Sequence, residues 1–216
     1  VGQNLRDHPA VHIAYKTPPG YVIPPDYPGA QKVALRYTAA DSDAKLDMIT
    51  VMRFRYETSE AVLSAGLYLE RSSGEIRLQS GDAGDQPYVD YNYLTDDSDL
   101  RRLRDGLKLN MELAKQEKFS GVIGELVDPA PSIADDDEAL NLWIRQNVGT
   151  MHHTSGTAKM GPDSDPMAVL DQYGRVKGVD GLRVCDGSIM PDCIRANTNV
   201  TIMMIGERIA DFMGNP

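Results

Sequence analysis

Cysteine, positive charge and long apolar runs are all scarce in this sequence. Its 216 residues hold two cysteines, Cys185 and Cys193, and no C-x-x-C pair. That argues against a disulfide scaffold and against a zinc or iron–sulfur centre, so no metal site is expected. Both thiols are expected to be free, in a reducing, cytoplasmic setting. Lys and Arg number 22 against 32 Asp and Glu, a net charge of −10. Nucleic acid and anionic membranes need basic surfaces, so neither is an expected partner. No apolar run approaches the roughly 18 residues of a membrane span, and no basic-then-apolar leader is present. Also missing is G-x-G-x-x-G, the glycine pattern that lets a strand–helix turn approach a dinucleotide pyrophosphate. The chain opens on Val1-Gly2 without a Met, as expected of a piece of a longer protein.

What is present is ordinary in bulk: 41% apolar and 25% charged residues, the composition of a globular chain long enough for one large or two small domains. The informative stretches are two. Met151–Gly161, MHHTSGTAKMG, sets His152 beside His153. Histidine titrates nearest neutrality and is the usual proton acceptor at pH 7. If the local backbone is extended, the two rings point to opposite faces; one then faces a pocket and the other is structural. A histidine-based metal site using Asp163 or Asp165 has poor ligand spacing. The second stretch, Val184–Met213, reads as strand, loop and a largely buried helix entered through Asn197 and Asn199. A helix start leaves backbone N–H groups unpaired and favours an anion, although plain capping by Asn199 accounts for the residue equally. Asp186-Gly187-Ser188 after a strand is either an ordinary turn or a ligand position.

Between these and the N-terminus the pattern is mixed. Val1–Pro9 reads as irregular. Weak alternation makes Val11–Tyr15 a strand. The proline-rich segment 17–29 reads as a long surface loop, either a connector or a lid. Val33–Tyr37, the alternating Ile49–Tyr56 and Tyr88–Tyr91 read as strands. Gly66–Glu70 and Glu75–Gln79 read as a hairpin turning at Arg71–Gly74, and Leu170–Gly174 as the turn before a short strand, Leu182–Val184. Thr95 is the expected N-cap of a helix with an apolar stripe through Leu100, Leu103, Leu107 and Met111. A second helix begins near Asp135, with Glu138 completing a capping box, and ends near Asn147. The fold class is therefore α+β: an antiparallel sheet flanked by helices.

Three patterns carry a family resemblance. They are H-x-x-G-T-x-x-M-G from His153 to Gly161, L-R-V-x-D-x-S-x-M-P from Leu182 to Pro191, and N-x-N-x-x-x-x-M-I-x-E-R-I-A-D from Asn197 to Asp211. In order, they resemble the C-terminal half of the glucose–methanol–choline (GMC) oxidoreductases. Asn rather than His at position 197 places the resemblance in the choline-dehydrogenase-like branch. Val1–Pro9 resembles the segment leaving that family's FAD domain, and Ser72–Leu103 its substrate domain. The resemblance implies residues 1–9 as that connection and 10–150 as the substrate-binding domain. It implies 151–216 as the active-site loop with C-terminal pieces of an FAD-binding α/β domain. It implies an FAD-dependent dehydrogenase or oxidase passing hydride from an alcohol carbon to flavin, with a small alcohol as substrate. His153 is the implied base and Asn197 the implied partner of the substrate oxygen. Asp186 and Gly187 would lie near the FAD phosphates, and Asn199 and Val200 at the flavin edge. Thr154 departs from the family's usual Pro or Gly. The N-terminal ADP-binding half is the implied missing partner, so this portion alone is expected to bind little FAD and to be inactive. The competing reading is a non-catalytic small-molecule binding module of the same fold.

Overall fold

The computed structural model describes residues 1–24, 33–40 and 42–214. Its strands are, in chain order, β1 (Gln3–Leu5), β2 (Pro9–Lys16), β3 (Ala34–Tyr37), β4 (Met48–Arg55), β5 (Glu60–Leu67), β6 (Gly74–Arg77), β7 (Tyr88–Asp90), β8 (Leu126–Asp128) and β9 (Gly149–Thr150). Its helices are α1 (Asp97–Ala114), α2 (Asp137–Asn147) and α3 (Asn199–Gly214). Antiparallel sheets with flanking helices bear out the α+β expectation. No helix among the described residues is long and apolar enough to cross a membrane. The chain forms two compact units, one of Val1–His8, Leu69–Thr95 and His152–Pro216, the other of Pro9–Tyr68 and Asp96–Met151.

The second unit is built on a sheet of order β3-β4-β5-β2-β8, with β9 also on β2. β5 is buried along its whole length, and Ser64 pairs with His12 on one side and Val51 on the other. Helix α1 covers one face. A Cβ on Gly106 would sit about 3 Å from Tyr37, Met48 and Ala65, so its lack of a side chain lets helix and sheet approach. Leu103 and Leu107 are fully buried there, each contributing about 2 kcal/mol of apolar burial. Arg102 is buried between Asp47 at 2.8 Å and Asp99 at 2.6 Å. Burial opposes the Asp47 charge, but bonds from the Ala39 N–H, Ser42 and Arg102 outweigh it and hold its carboxyl below the usual range. The opposite face carries the cluster Ile49, Val51, Tyr68 and Met151.

The first unit joins three distant stretches. Its sheet, β1-β6-β7, pairs Gln3 with Glu75 and Glu75 with Asp90. Residues 156–160 run beside 187–189, with Ala158 and Met160 N–H groups donating to Ser188 and Ile189 at 2.9 and 2.8 Å. Gly156 has φ +86, and a Cβ there would strike Asn4 O at 2.5 Å; only glycine fits. Leu170, Ile189 and Met190 pack against Ile205 and Ile209 of α3.

Several local expectations fail, each for a physical reason. There is no hairpin across Arg71–Gly74: β6 bonds to β1 and β7 instead, while Arg6 Nη1 donates to the carbonyls of Glu70 and Ser72. Val1–Pro9 is not irregular but supplies β1 and the start of β2. The helix caps are Asp96 and Asp136, one residue beyond those expected; each carboxylate accepts from backbone N–H two residues on. Leu182–Val184 forms no strand, only the bridge Arg175↔Arg183. Helix α3 is largely exposed, with Ile205 and Ile209 its buried residues. Of the proline-rich loop, Pro25–Gly29 lies outside the described residues.

Candidate active site

All the residues of this site belong to the first unit. The chain turns sharply at His152, whose φ of +64 is left-handed, a conformation that His tolerates better than most. The local backbone is thus not extended at this pair. His152 is exposed while His153 is 8% exposed. The turn is anchored by Asp7, wholly buried, whose Oδ1 accepts the His153 N–H at 2.8 Å. Its Oδ2 accepts the Tyr93 hydroxyl at 2.5 Å, and its own N–H donates to Glu70 at 2.8 Å. A buried carboxylate requires such donors.

Next to Asp7, the buried His8 meets His153 edge to face, with their Nδ1 atoms 2.8 Å apart. Two nitrogens that close need one to donate and the other to accept. On its far side, His153 Nε2 lies 3.4 Å from Asn197 Nδ2. An amide donor turned toward Nε2 selects the tautomer with the proton on His153 Nδ1, donated to His8, and a lone pair on Nε2. Burial lowers the His153 pKa below the ordinary histidine value; the Asp7 charge opposes that shift and His152 adds to it. The ring is therefore neutral at pH 7, and a carboxylate stands near enough to steady it when it gains a proton.

The structure thus brings His153 and Asn197 together, although 44 residues separate them. Asp186 is exposed and caps the short turn Gly187–Ile189 through Ser188 N at 2.7 Å. Gly187 is buried; a Cβ there would lie 3.1 Å from Ile202 on the first turn of α3. Asn199 and Val200 open that helix, both exposed, Val200 at 74%. Gly187 and the start of α3 are therefore adjacent. Asp163 and Asp165 pair with Lys177 and Lys159, not with a histidine. Among the described residues no group of three or more His, Cys, Asp or Glu is placed to hold a metal ion.

A family profile described as GMC oxidoreductase matches residues 70–206. This chain belongs to the GMC oxidoreductase family. It is 34% identical over 230 residues to choline oxidase of Arthrobacter globiformis, covering 99% of this chain and 41% of that protein. It is 38% identical over 146 residues to the oxygen-dependent choline dehydrogenase of Photobacterium profundum, covering 67% of this chain and 26% of that one. Pyridoxine 4-oxidase from Mesorbium loti shares the fold, with a TM-score of 0.88 at 24% identity over 100% of this chain and 44% of that one. The chain therefore spans about two fifths of the first of these relatives.

Within this GMC chain, three residues of the cluster escape the sequence patterns: Asp7, His8 and Tyr93. A signal exists for the first two. An acid and an imidazole stand together before Pro9, in a segment with no other reason to bury charge.

Proposed function

We propose that this chain is the substrate-binding and catalytic portion of an FAD-dependent enzyme oxidising a small alcohol to a carbonyl, with His153 as base. The observation that supports it best is the buried imidazole whose Nε2 faces the Asn197 carboxamide at 3.4 Å. On this reading residues 1–9 are the connection from the FAD-binding part, 10–150 the substrate-binding domain, and 151–216 the active-site loop with C-terminal pieces of the FAD-binding domain. The N-terminal ADP-binding half is the partner.

The residues present fit a flavin. The first-turn N–H groups of α3 at Asn199 and Val200 lack acceptors within the helix and suit an acceptor-rich ring edge. Val200, Met203 and Met204 leave an exposed apolar stripe beside them, which suits a flat aromatic system and the partner that carries it. Asp186 and Gly187 would lie toward the phosphates. A bound flavin supplies the hydride acceptor.

The protein's own contribution is proton handling and positioning. His153 Nε2 takes the hydroxyl proton, which makes the carbinol C–H a better hydride donor. Asn197 donates to the substrate oxygen and holds it within reach. His8 accepts the Nδ1 proton and keeps the lone pair on Nε2. Asp7 compensates the charge of the imidazolium that forms.

The test is to add the ADP-binding half to this chain and follow flavin bleaching anaerobically with a panel of alcohols. Alcohol-dependent bleaching in the wild type, lost in His153→Ala with flavin retained, is expected. Flavin binding without reduction by any alcohol would favour the non-catalytic binding module.

A further inference from the structure

The face of the larger sheet opposite helix α1 carries a second polar group, separate from His153. Alternate residues share a face, so the pairings His12↔Ser64, Ser64↔Val51 and Val62↔Arg53 set His12, Ser64 and Arg53 on one side. Helix α1 lies on the other side. His12 Nδ1 and Ser64 Oγ are 2.7 Å apart. Arg53 is half-buried, its Nε is wholly buried, and no hydrogen-bond acceptor meets that nitrogen. The neighbouring cations are already engaged: Lys16 and Arg55 share the Glu60 carboxylate at 3.1 and 3.3 Å. Arg53 makes no ion pair among the described residues. Burial, then Arg53, then Arg55 push the His12 pKa down to about 4, so the ring is neutral and the local field is positive in a chain of net charge −10.

A guanidinium with an unused, dehydrated Nε–H presents the two-donor edge that matches a carboxylate. With Ser64 donating to Nδ1, neutral His12 offers Nε2–H as another donor. The same field disfavours a quaternary ammonium group. We propose that Arg53, with His12 and Ser64, binds the carboxylate of a small molecule.

Butyrate, n-butanol, tetramethylammonium and inorganic phosphate are titrated into the 216-residue chain while its histidine ring resonances are followed by NMR, with His12→Gln for assignment. Butyrate is expected to shift His12 saturably, and the other three are not. Arg53→Gln should weaken butyrate about tenfold or more. Arg53→Lys, which keeps the charge in the same strand, should weaken it less. No saturable shift, unchanged affinity in folded Arg53→Gln, or phosphate binding as tightly as butyrate would overturn the carboxylate site.

Discussion

His153 and His12 are both neutral imidazoles whose pKa burial lowers, yet their surroundings differ in sign. His153 stands by the buried carboxylate of Asp7, which opposes the downward shift. His12 stands among Arg53 and Arg55, which deepen it to about 4. Burial makes a ring neutral; the neighbouring charge decides what that ring can do next. Beside a carboxylate, gaining a proton is tolerated, which suits the ring to the role of base proposed for it. Beside arginines, gaining a proton is opposed and the ring serves only as a hydrogen-bonding wall.

The contrast breaks most visibly through His153. In the flavin-loaded enzyme, His153→Ala is expected to lower kcat by about 10²–10⁴-fold with flavin content unchanged, measured by steady-state turnover and absorbance. His12→Gln, by contrast, should leave kcat for a neutral alcohol within a few-fold. Equal losses in the two variants would erase the distinction. Asn197→Ala should cost less than His153→Ala, through poorer placement of the substrate oxygen.

Asp7→Asn removes the charge while keeping a side-chain oxygen for the His153 N–H. Losing a nearby anion lowers the His153 pKa further. The acid limb of kcat/KM should therefore move to lower pH, and the plateau should drop about tenfold as the imidazolium loses its counter-charge. A limb that moved upward would mean that Asp7 does not act on His153 by charge.

A third experiment uses stability. For His12 the folded pKa of about 4 lies below the ordinary value of 6.5, so the unfolded chain binds the proton first. Its contribution is complete above pH 6.5 and is lost as pH falls toward 4. Urea midpoints should decline over that window, and His12→Gln should flatten the decline. The smallest expected effect concerns the thiols. Cys185 is exposed and Cys193 buried, and burial pushes the Cys193 thiol up to about 12. A thiol reagent should label Cys185 alone in the folded chain and both residues in denaturant.

How much of this was legible in the sequence depended on how local the cause was. The stripe Leu100, Leu103, Leu107 and Met111 is buried as its spacing predicts, because a helix makes its own hydrogen bonds. β5 escaped notice as an eight-residue strand because both its faces are buried, which erases alternation. The expected hairpin at Arg71–Gly74 failed because β6 pairs with residues some seventy positions earlier, and nothing local records that. His153 and Asn197 were readable through patterned stretches. Asp7 and His8 were not, since their partners lie 146 and 145 residues away and their own segment reads as loop.

The proton on His153 can be located without flavin or substrate. Long-range nitrogen–proton correlation NMR on the ring-labelled chain at pH 7, assigned with His8→Gln and His153→Gln, reports which nitrogen of each imidazole bears hydrogen. A neutral His153 protonated on Nδ1, with His8 protonated on Nε2, is the predicted result. A His153 ring carrying hydrogen on Nε2, or charged at that pH, would leave no lone pair facing Asn197 and would contradict its role as the base.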